Sequence, residues 1–309
     1  MLEAYTKLFS SVQEKLSANP FSLQQRETYM PMPHSFDPQF HVDETRCIAC
    51  GLCVEDCVSG VLTIQDGKAA MSANSGFGCV GCQHCLAVCP VGAVSVMGVN
   101  PDDVATVTEP ALDPAALDLF VRRRRSIRKF SKEPVAPELL DRILSSVGYA
   151  PTGVNSLMRH FTVIRDPEVM NRFRIKCAEL LISKGSELAP EWRWFVDAAE
   201  EVLKGGRDAM FRGAPHIIFA TVPKEAPCGL QDCLIALSYF DILAQANGVG
   251  TTWAGIAYWM LSSVPELRTI LGIPEDHVIG YALLFGMPAI SYPRAVQRTI
   301  ENVRFIDAV

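Results

Sequence analysis

The feature that most constrains this chain is a repeated pattern of cysteines. Eight of its eleven cysteines form two copies of the spacing C-x2-C-x2-C-x3-C, and the copies lie 32 positions apart. The first copy comprises Cys47, Cys50, Cys53 and Cys57, and the second comprises Cys79, Cys82, Cys85 and Cys89. The copies agree beyond the cysteines, because Gly60 corresponds to Gly92 and the apolar run 61–64 corresponds to 93–96.

The short gaps between these thiols suit a compact inorganic cluster. Three thiolates must converge from one short loop to hold a cubane, and two-residue gaps let the chain curl around a cluster edge. Disulfides are a weaker alternative, because we find no secretory leader and a cytosolic chain keeps its thiols reduced. Zinc is also weaker, because four thiols within eleven residues crowd a tetrahedral ion. The spacing therefore favours two [4Fe–4S] clusters.

The cysteine run over residues 42–98 resembles that of bacterial-type ferredoxins, which hold a pair of [4Fe–4S] clusters. In that family the fourth cysteine of each run reaches the opposite cluster, which implies crossed ligand sets. The implied sets are Cys47, Cys50, Cys53 and Cys89 for one cluster, and Cys79, Cys82, Cys85 and Cys57 for the other. Pro90 follows the second run as in the family, whereas Val58 replaces the proline expected after the first. That proline shapes a turn and is not a ligand.

Length, charge and apolar content limit the remaining functions. The chain has 309 residues, which predicts one small and one large unit, and 49 % of them are apolar. A net charge of −6 argues against a nucleic-acid partner. No membrane span is expected, because the longest apolar stretch has 13 residues and the apolar helix predicted at 230–247 carries Asp232 and Asp241. The N-terminus lacks the basic region of a signal peptide, so we expect a cytoplasmic protein.

The order of predicted elements favours an α+β organisation. An N-terminal helix and an extended connector occupy residues 1–41, the cluster domain 42–98, a proline- and aspartate-rich linker 99–114, and a larger domain 115–309. Helices are predicted at about 114–124, 136–149, 167–183, 190–204 and 230–247, and strands at about 160–165, 216–222 and 278–287. Strict alternation of strand and helix is missing, and no G-x-G-x-x-G fingerprint supports a Rossmann nicotinamide site.

A basic run at 122–130 ends the first helix of the larger domain. Such a run is often only a solvated face, although serine and arginine two residues apart can clamp a phosphate. Four segments in order resemble the nitroreductase family of FMN-dependent oxidoreductases. RRSIRKF at 124–130 is similar to its R-R/H-S-x-R-x-F opening, and APTGVNS at 150–156 to its A-P-S/T-x-x-N loop. GVGTTWAG at 248–255 resembles G-L-G-T-x-W-x-G, and 286–298 resembles the G-x-P…Y-x-R-x-x-x-R ending.

The second resemblance covers residues 115–305 and implies a mixed sheet flanked by helices, with FMN at a homodimer interface. It also implies the cofactor-binding residues. The implied ligands of the FMN phosphate and nearby oxygens are Arg124, Arg125, Ser126 and Arg128, and Arg294 or Arg298 would reach the phosphate from the C-terminal end. The loop that covers the flavin of the other subunit contributes Pro151, Thr152, Gly153 and Asn155. Backbone N–H groups at Ala254 and Gly255 lie beside the flavin N5 edge.

One departure affects the substrate. Many relatives continue the asparagine loop with Gln-Pro-Trp, whereas this chain has Leu157, Met158 and Arg159. A preference for nitroarenes or quinones therefore cannot be carried over. Arg159 and His160 are candidates to meet an anionic substrate, or else Arg159 is a paired surface residue and His160 begins a strand.

Joining the two modules predicts a ferredoxin-linked reductase. Each cluster passes one electron, whereas FMN collects two and releases them as a hydride. We expect a reduced ferredoxin as donor, a small organic acceptor of nitro, quinone or activated-alkene type, and no dedicated catalytic acid. Three alternatives stay open: an electron-transfer subunit that relays electrons to a protein partner, a reductive dehalogenase or flavin-degrading enzyme of the same fold, and a redox sensor.

Overall fold

The computed structural model describes residues 37–72, 78–107, 112–188, 192–300 and 302–307. The predicted N-terminal helix, and the connector as far as residue 36, lie outside the described residues. The described chain divides into two compact units. The smaller comprises residues 37–107 with 152–157, and the larger comprises 112–151 with 158–307.

The smaller unit is built from short elements around the cysteine loops. Its elements are β1 (His41–Val42), α1 (Leu52–Glu55), β2 (Leu62–Gln65), β3 (Lys68–Met71), α2 (His84–Ala87) and β4 (Val94–Ser95). Strand β1 pairs antiparallel with β4, and β2 pairs antiparallel with β3. Helices α1 and α2 begin after left-handed residues, Gly51 at φ 80° and Gln83 at φ 61°, so the sequence repeat is also a structural repeat.

The larger unit contains seven helices and four strands among its described residues. The helices are α3 (Pro114–Arg123), α4 (Pro137–Val147), α5 (Pro167–Ser183), α6 (Trp194–Leu203), α7 (Gly229–Ala246), α8 (Gly255–Ser263) and α9 (Pro265–Ile270). The strands are β5 (His160–Ile164), β6 (His216–Pro223), β7 (Gly250–Trp253) and β8 (His277–Gly286). They form one sheet in the order β5-β6-β8-β7 with antiparallel neighbours, and an isolated parallel bridge joins Ser126 to Thr251.

Helices cover both faces of this sheet. Ile217 and Phe219 of β6 belong to an apolar core with α5, α6, α8 and α9, whereas Ile218 and Ala220 belong to a second core with α4 and α7. Because successive strand residues point to opposite faces, an apolar run such as that of β6 indicates a strand covered on both sides. The predicted α+β class, with helices flanking a sheet, is confirmed. All four strands pair antiparallel, and the parallel pairing seen among the described residues is the isolated Ser126–Thr251 bridge.

Most of the predicted elements agree with the structure within a few residues, but β7, α8 and α9 were missed. Helix α5 matches its prediction at both ends because Asp166 accepts hydrogen bonds from the first-turn N–H groups and Pro167 follows. The predicted helix at 190–204 is observed from Trp194 to Leu203. No helix in the described ranges is both long enough and apolar enough for a membrane crossing.

A largely buried ion pair stabilises the larger unit. Arg174 Nε lies 2.7 Å from Asp208 Oδ2, and both side chains are only 13 % exposed. Asp208 also accepts hydrogen bonds from the N–H groups of Met210, Phe211 and Gly213. The carboxylate therefore holds together helix α5 and the turn before β6.

Asp208→Ala should be among the most destabilising single changes in the larger unit. Removing one partner leaves the Arg174 charge buried without compensation, which typically costs about 3–5 kcal/mol of unfolding free energy. Urea unfolding followed by circular dichroism measures the loss. Lys204→Ala is the control, because its pair with Glu200 is exposed and should contribute less than about 1 kcal/mol. Equal losses in the two variants would contradict the assignment.

Candidate functional site

The first cysteine-lined cavity lies at the loop before α1. Its lining includes four thiols, those of Cys47, Cys50, Cys53 and Cys89. Ala49 at φ 57° and Gly51 at φ 80° take left-handed conformations, which curl the loop so that its thiols converge. The structure thus brings Cys89, from the second sequence copy, to the three leading thiols of the first.

The second cavity shows the complementary arrangement. Its lining includes the thiols of Cys57, Cys79, Cys82 and Cys85. Gly81 at φ 65° and Gln83 at φ 61° curl this loop in the same way. The two groups of four are those implied by the ferredoxin resemblance, with the fourth cysteines exchanged.

Backbone N–H groups point at several of these sulfurs. Ala93 N–H donates to Cys89 Sγ at 3.2 Å and Gly81 N–H donates to Cys79 Sγ at 3.4 Å. Hydrogen bonds from the backbone at Ala69 and Ala49 lower the pKa of Cys47, which favours its thiolate. Burial raises the pKa of Cys85 to about 11, so binding of iron must displace a proton from this thiol.

The donor set fits iron–sulfur clusters better than single ions. No group of three or more Cys, His, Asp or Glu side chains within the described ranges is placed to hold one metal ion. A cubane distributes its four thiolate ligands over four irons, so its thiols stand farther apart than those of a zinc site. Each cavity groups four thiols, and N–H groups directed at sulfur provide the supporting hydrogen bonds that such clusters require.

The basic segment lies along the edge strand of the larger unit. Ile127 N–H donates to Thr251 O at 2.7 Å, and the Ile127 side chain is buried. Gly250 allows this approach, because a Cβ there would lie 2.6 Å from Ile127 Cγ1. Since side chains alternate along extended chain, burying Ile127 turns Ser126 and Arg128 away from the core. Arg128 is exposed and makes no ion pair within the described part of the chain.

Two other arginines of this segment are partly buried. Arg124 Nη1 lies 3.5 Å from Asp241 Oδ2. Arg125 donates from Nη2 to Arg122 O at 2.6 Å and from its backbone N–H to Gln245 Oε1 at 3.1 Å. The Arg125 Nε atom is buried and has no hydrogen-bond partner within the described residues. An unpartnered guanidinium N–H is a suitable donor for a phosphate oxygen.

Asp241 is the centre of a buried polar network, although its sequence context argued only against a membrane span. Its Oδ1 accepts hydrogen bonds from Thr251 Oγ1 and, at 2.7 Å, from Gln245 Nε2. Its Oδ2 faces Arg124 and Trp253 Nε1. Asp241 and Gln245 lie one turn apart on α7 and together hold residues 124–125 and 251–253. A second acidic residue in a largely apolar helix, with glutamine four positions later, was the available signal.

The Ala254–Gly255 segment opens helix α8. Ala254 is buried and its N–H donates to Ala282 O at 2.9 Å, so this N–H is already used in the sheet. Gly255 is the first residue of α8. First-turn N–H groups have no partner inside a helix, so Gly255 rather than Ala254 is the candidate donor to a cofactor.

The segment 152–157 belongs to the smaller unit. It contains the predicted site residues Thr152, Gly153 and Asn155, and Pro151 precedes it. Thr152 Oγ1 accepts from Leu157 N–H at 3.1 Å and closes the loop. Val154 and Asn155 have φ near 50°, a strained conformation for a β-branched residue such as valine. Asn155 Nδ2 donates to Val80 O at 2.9 Å, between Cys79 and Cys82. This contact joins residues 75 apart in sequence and was not predicted.

Three predicted arginines lie elsewhere. Arg294 and Arg298 are exposed in the C-terminal segment. Among the described residues, no hydrogen bond joins either of them to residues 124–128. Arg159 Nη2 donates to Gly148 O at 2.7 Å at the end of α4, and burial lowers its pKa. Arg159 therefore binds backbone carbonyls, although its Nε and Nη1 are buried without partners in the described chain.

Comparisons with known proteins match the two units separately. The model of the nitroreductase family matches residues 121–287, and that of a 4Fe-4S dicluster domain matches residues 40–96. Iodotyrosine deiodinase 1 of Rattus norvegicus is 38 % identical over 195 residues, covering 60 % of this chain and 67 % of that protein. An NADH dehydrogenase of Thermus thermophilus is 28 % identical over 193 residues, covering 59 % and 90 %.

A structural comparison agrees with these matches. A nitroreductase from Bacteroides fragilis, solved with bound FMN, aligns with a TM-score of 0.52 and 16 % identity, covering 62 % of this chain and 98 % of that one. At this identity the likeness concerns the fold.

Proposed function

The chain belongs to the nitroreductase family, and we propose that it is a ferredoxin-linked, FMN-dependent reductase of a small organic acceptor. Its dicluster module makes it an oxidoreductase that combines iron–sulfur and flavin chemistry. When bound, two [4Fe–4S] clusters supply single electrons and FMN supplies hydride transfer to a nitro, quinone or activated-alkene acceptor. We further propose a cytoplasmic location.

One observation carries the proposal. The loop that resembles the flavin-covering loop of the family lies in the same unit as the cysteine loops, and its Asn155 donates a hydrogen bond to Val80 between Cys79 and Cys82. A flavin covered by this loop would have a cluster ligand loop directly behind its cover. This arrangement favours electron transfer between the two modules within one protein over a role for either module alone.

Each proposed cofactor has a set of residues to hold it. The crossed thiol sets would bind the two clusters, and backbone N–H groups directed at sulfur would stabilise their negative charge. The FMN phosphate would be bound by Arg124, Arg125, Ser126 and Arg128. Arg125 is the best-supported donor, because its buried Nε has no hydrogen-bond partner among the described residues. The N–H of Gly255 would donate to the flavin ring.

A homodimer is part of the proposal. Leu234, Ile235 and Tyr239 of helix α7 are exposed, as are Ile300 and Phe305 of the C-terminal segment. Large apolar side chains grouped on one helix and one extended segment are typical of surfaces that a second subunit covers. In such a dimer Pro151, Thr152, Gly153 and Asn155 would reach the partner's flavin, while Arg294 or Arg298 would contribute to a phosphate site.

A second candidate reaction is reductive dehalogenation. The 38 % identity to iodotyrosine deiodinase 1 favours it, because that relative is named for removing iodine from an aromatic substrate. The same flavin site would then deliver electrons to a carbon–halogen bond. Product analysis after a single turnover with 3-iodotyrosine separates this reaction from nitro or quinone reduction.

Rapid-mixing spectroscopy tests the main proposal. The reconstituted protein is mixed anaerobically with reduced methyl viologen, and flavin bleaching near 450 nm is followed. We expect bleaching after cluster reduction, followed by rapid reoxidation with at least one small acceptor. Cys50→Ala/Cys82→Ala, which lacks a ligand in each set, is the control and should bleach far more slowly. A protein that reoxidises only with a protein partner would instead be an electron relay.

Asp241→Asn should weaken FMN binding without unfolding the protein. Asparagine has nearly the same size and shape as aspartate, but it presents either an NH2 group or an uncharged oxygen to Arg124. The Arg124 guanidinium therefore loses the buried carboxylate that positions it. A lost charged hydrogen bond of about 1.5–3 kcal/mol corresponds to roughly 10- to 100-fold in Kd. Quenching of flavin fluorescence on titration with the apoprotein measures this Kd.

Thr221→Val is the matched control for Asp241→Asn. Thr221 Oγ1 forms a buried hydrogen bond with His277 Nδ1 at 3.0 Å, toward the other end of β6 and β8. The control should lose similar stability and keep the parent affinity for FMN. If both variants bind FMN equally well, Asp241 has only a structural role.

A further inference from the structure

We propose that the face over the first cysteine cavity is the docking surface for the electron donor, and that this donor is a one-electron carrier protein whose contact face is rimmed by lysine or arginine. The inference rests on the proposed function as a cluster- and FMN-dependent reductase and revises its donor, because a carrier with a basic contact face replaces the ferredoxin, whose surface is usually acidic. Four side chains that line the first cavity form an exposed apolar patch. They are Ile48, Leu52, Ile64 and Val91.

The apolar patch and the four thiols line the same cavity. Ile48 is 62 % exposed and follows Cys47, while Leu52 lies between Cys50 and Cys53. Electron transfer requires a short distance between carriers, and an apolar patch lets a partner exclude water above the cluster. Exposed apolar side chains grouped around a redox centre therefore indicate a surface that contacts a partner protein rather than one that remains in water.

Charge limits what can dock there. Residues 37–107 contain eight Asp or Glu and two Lys or Arg, which leaves 26 acidic and 26 basic residues in the rest of the chain. The whole net charge of −6 thus comes from the cluster unit. A [4Fe–4S] cluster with four thiolates is itself anionic, and reduction adds another negative charge. An acidic partner would be repelled, whereas a basic one would be attracted.

The two cations of this unit do not offset the charge at its surface. Arg46 forms a two-point pair with Asp102 at 2.8 and 2.9 Å and also donates to Gly92 O. Lys68 Nζ donates to Cys47 O at 2.7 Å. Both are engaged within the unit, so the exposed charge near the patch is acidic.

Three acidic side chains lie within four residues of a patch residue in sequence. Glu55 follows Leu52 by three positions on α1, and Asp66 is in the turn after Ile64. Glu44 is in the turn before Cys47. All three are exposed, and none forms an ion pair within the described ranges. They form the acidic rim of an apolar centre.

The second cavity is less suited to receive the donor. Its ligand loop accepts the hydrogen bond from Asn155 through Val80 O, so that side is occupied by the 152–157 loop. The first cluster is therefore the entry point. In each encounter the carrier would lose one electron to a cluster held by Cys47, Cys50, Cys53 and Cys89, with no bond made or broken. Two encounters provide the electron pair that reduces one flavin.

Binding of charged redox proteins tests the proposal without turnover. Cytochrome c, with lysines around its haem edge, is the basic probe, and cytochrome b5, with acidic residues there, is its counterpart. Isothermal titration of the oxidised holoprotein should detect cytochrome c but not cytochrome b5. Raising salt from about 20 to about 200 mM should weaken binding at least about tenfold.

Two double variants locate the surface. Glu55→Lys/Asp66→Lys should weaken cytochrome c binding at least about tenfold at low salt. Glu187→Lys/Glu275→Lys changes the net charge equally at exposed sites of the larger unit and should weaken it less than about threefold. Glu44→Lys, outside α1, is a second rim variant that should act in the same direction. Unchanged iron content shows that each variant keeps its clusters.

The outcomes separate the docking proposal from the proposed function. Equal losses in the two double variants, or equal binding of the two cytochromes, would overturn the docking surface. Flavin bleaching by reduced methyl viologen is read in the same samples. If bleaching is normal while the rim variants bind cytochrome c as the parent does, only the docking proposal fails. If bleaching never occurs in the parent, the proposed function fails with it.

Discussion

A protein carrying Cys89→Ala together with Cys50→Ala should keep one intact cluster, whereas Cys57→Ala together with Cys50→Ala should lose both. The structure places Cys89 in the cavity of Cys50 and places Cys57 in the other cavity. Two changes in one ligand set damage one cluster, and two changes in different sets damage two. Iron analysis after anaerobic reconstitution should give about four irons in the first variant and close to none in the second.

The experiment is informative because ligation in sequence order predicts the opposite result. If each cysteine run held its own cluster, Cys57→Ala/Cys50→Ala would retain iron and Cys89→Ala/Cys50→Ala would not. Cys228→Ala is the control, because this exposed cysteine lines neither cavity and should leave the iron content unchanged. Electron paramagnetic resonance of the reduced variants then shows whether the interaction between two clusters is lost.

The sequence was most informative where local chemistry decides the structure. The cysteine spacing and the 32-residue repeat anticipated two equivalent loops, which the left-handed Gly51 and Gln83 provide. Helix α5 could be bounded exactly because Asp166 caps it and Pro167 starts it. Strand β6 was visible because burial on both faces requires an uninterrupted apolar run.

The missed elements lack such local signals. Strand β7 has four residues, and its glycine and threonines do not alternate with apolar residues. Helix α8 is apolar on most sides, so helical periodicity is weak, and α9 has only six residues. These elements depend on tertiary packing, since α8 and α9 belong to the core beside β6. No short window of sequence contains that information.

The candidate site shows the same division. Its candidate binding residues could be named from motifs, but the side chains that hold them in place could not. Asp241 is 117 positions from Arg124 in sequence, and it is ten positions from Thr251, which is beyond the range of helical pairing. Only the fold brings these three side chains together. The Asn155–Val80 hydrogen bond likewise depends on how the chain returns to the cysteine loops. Contacts of this kind follow from topology, which a motif does not encode.

Arg128→Ala should remove FMN from the protein and leave its iron in place. Arg128 is the last arginine of the segment that resembles the family's phosphate site, and burial of Ile127 turns it outward. It makes no ion pair within the described residues, so its removal should cost little folding stability. A guanidinium that binds two phosphate oxygens is hard to replace, because its loss removes both charge and geometry. Flavin occupancy after gel filtration should fall at least about tenfold.

Arg123→Ala is the matched control, because it removes a cation from the same run at the end of α3 but lies before the phosphate segment. It should retain both flavin and iron. The ratio of flavin to iron in one sample is the decisive quantity, because the cysteines belong to the other unit and report correct folding there. Full flavin occupancy in Arg128→Ala would remove this residue from the phosphate site. Loss of flavin in both variants would show that the overall positive charge of the run, rather than the position of one guanidinium, holds the cofactor.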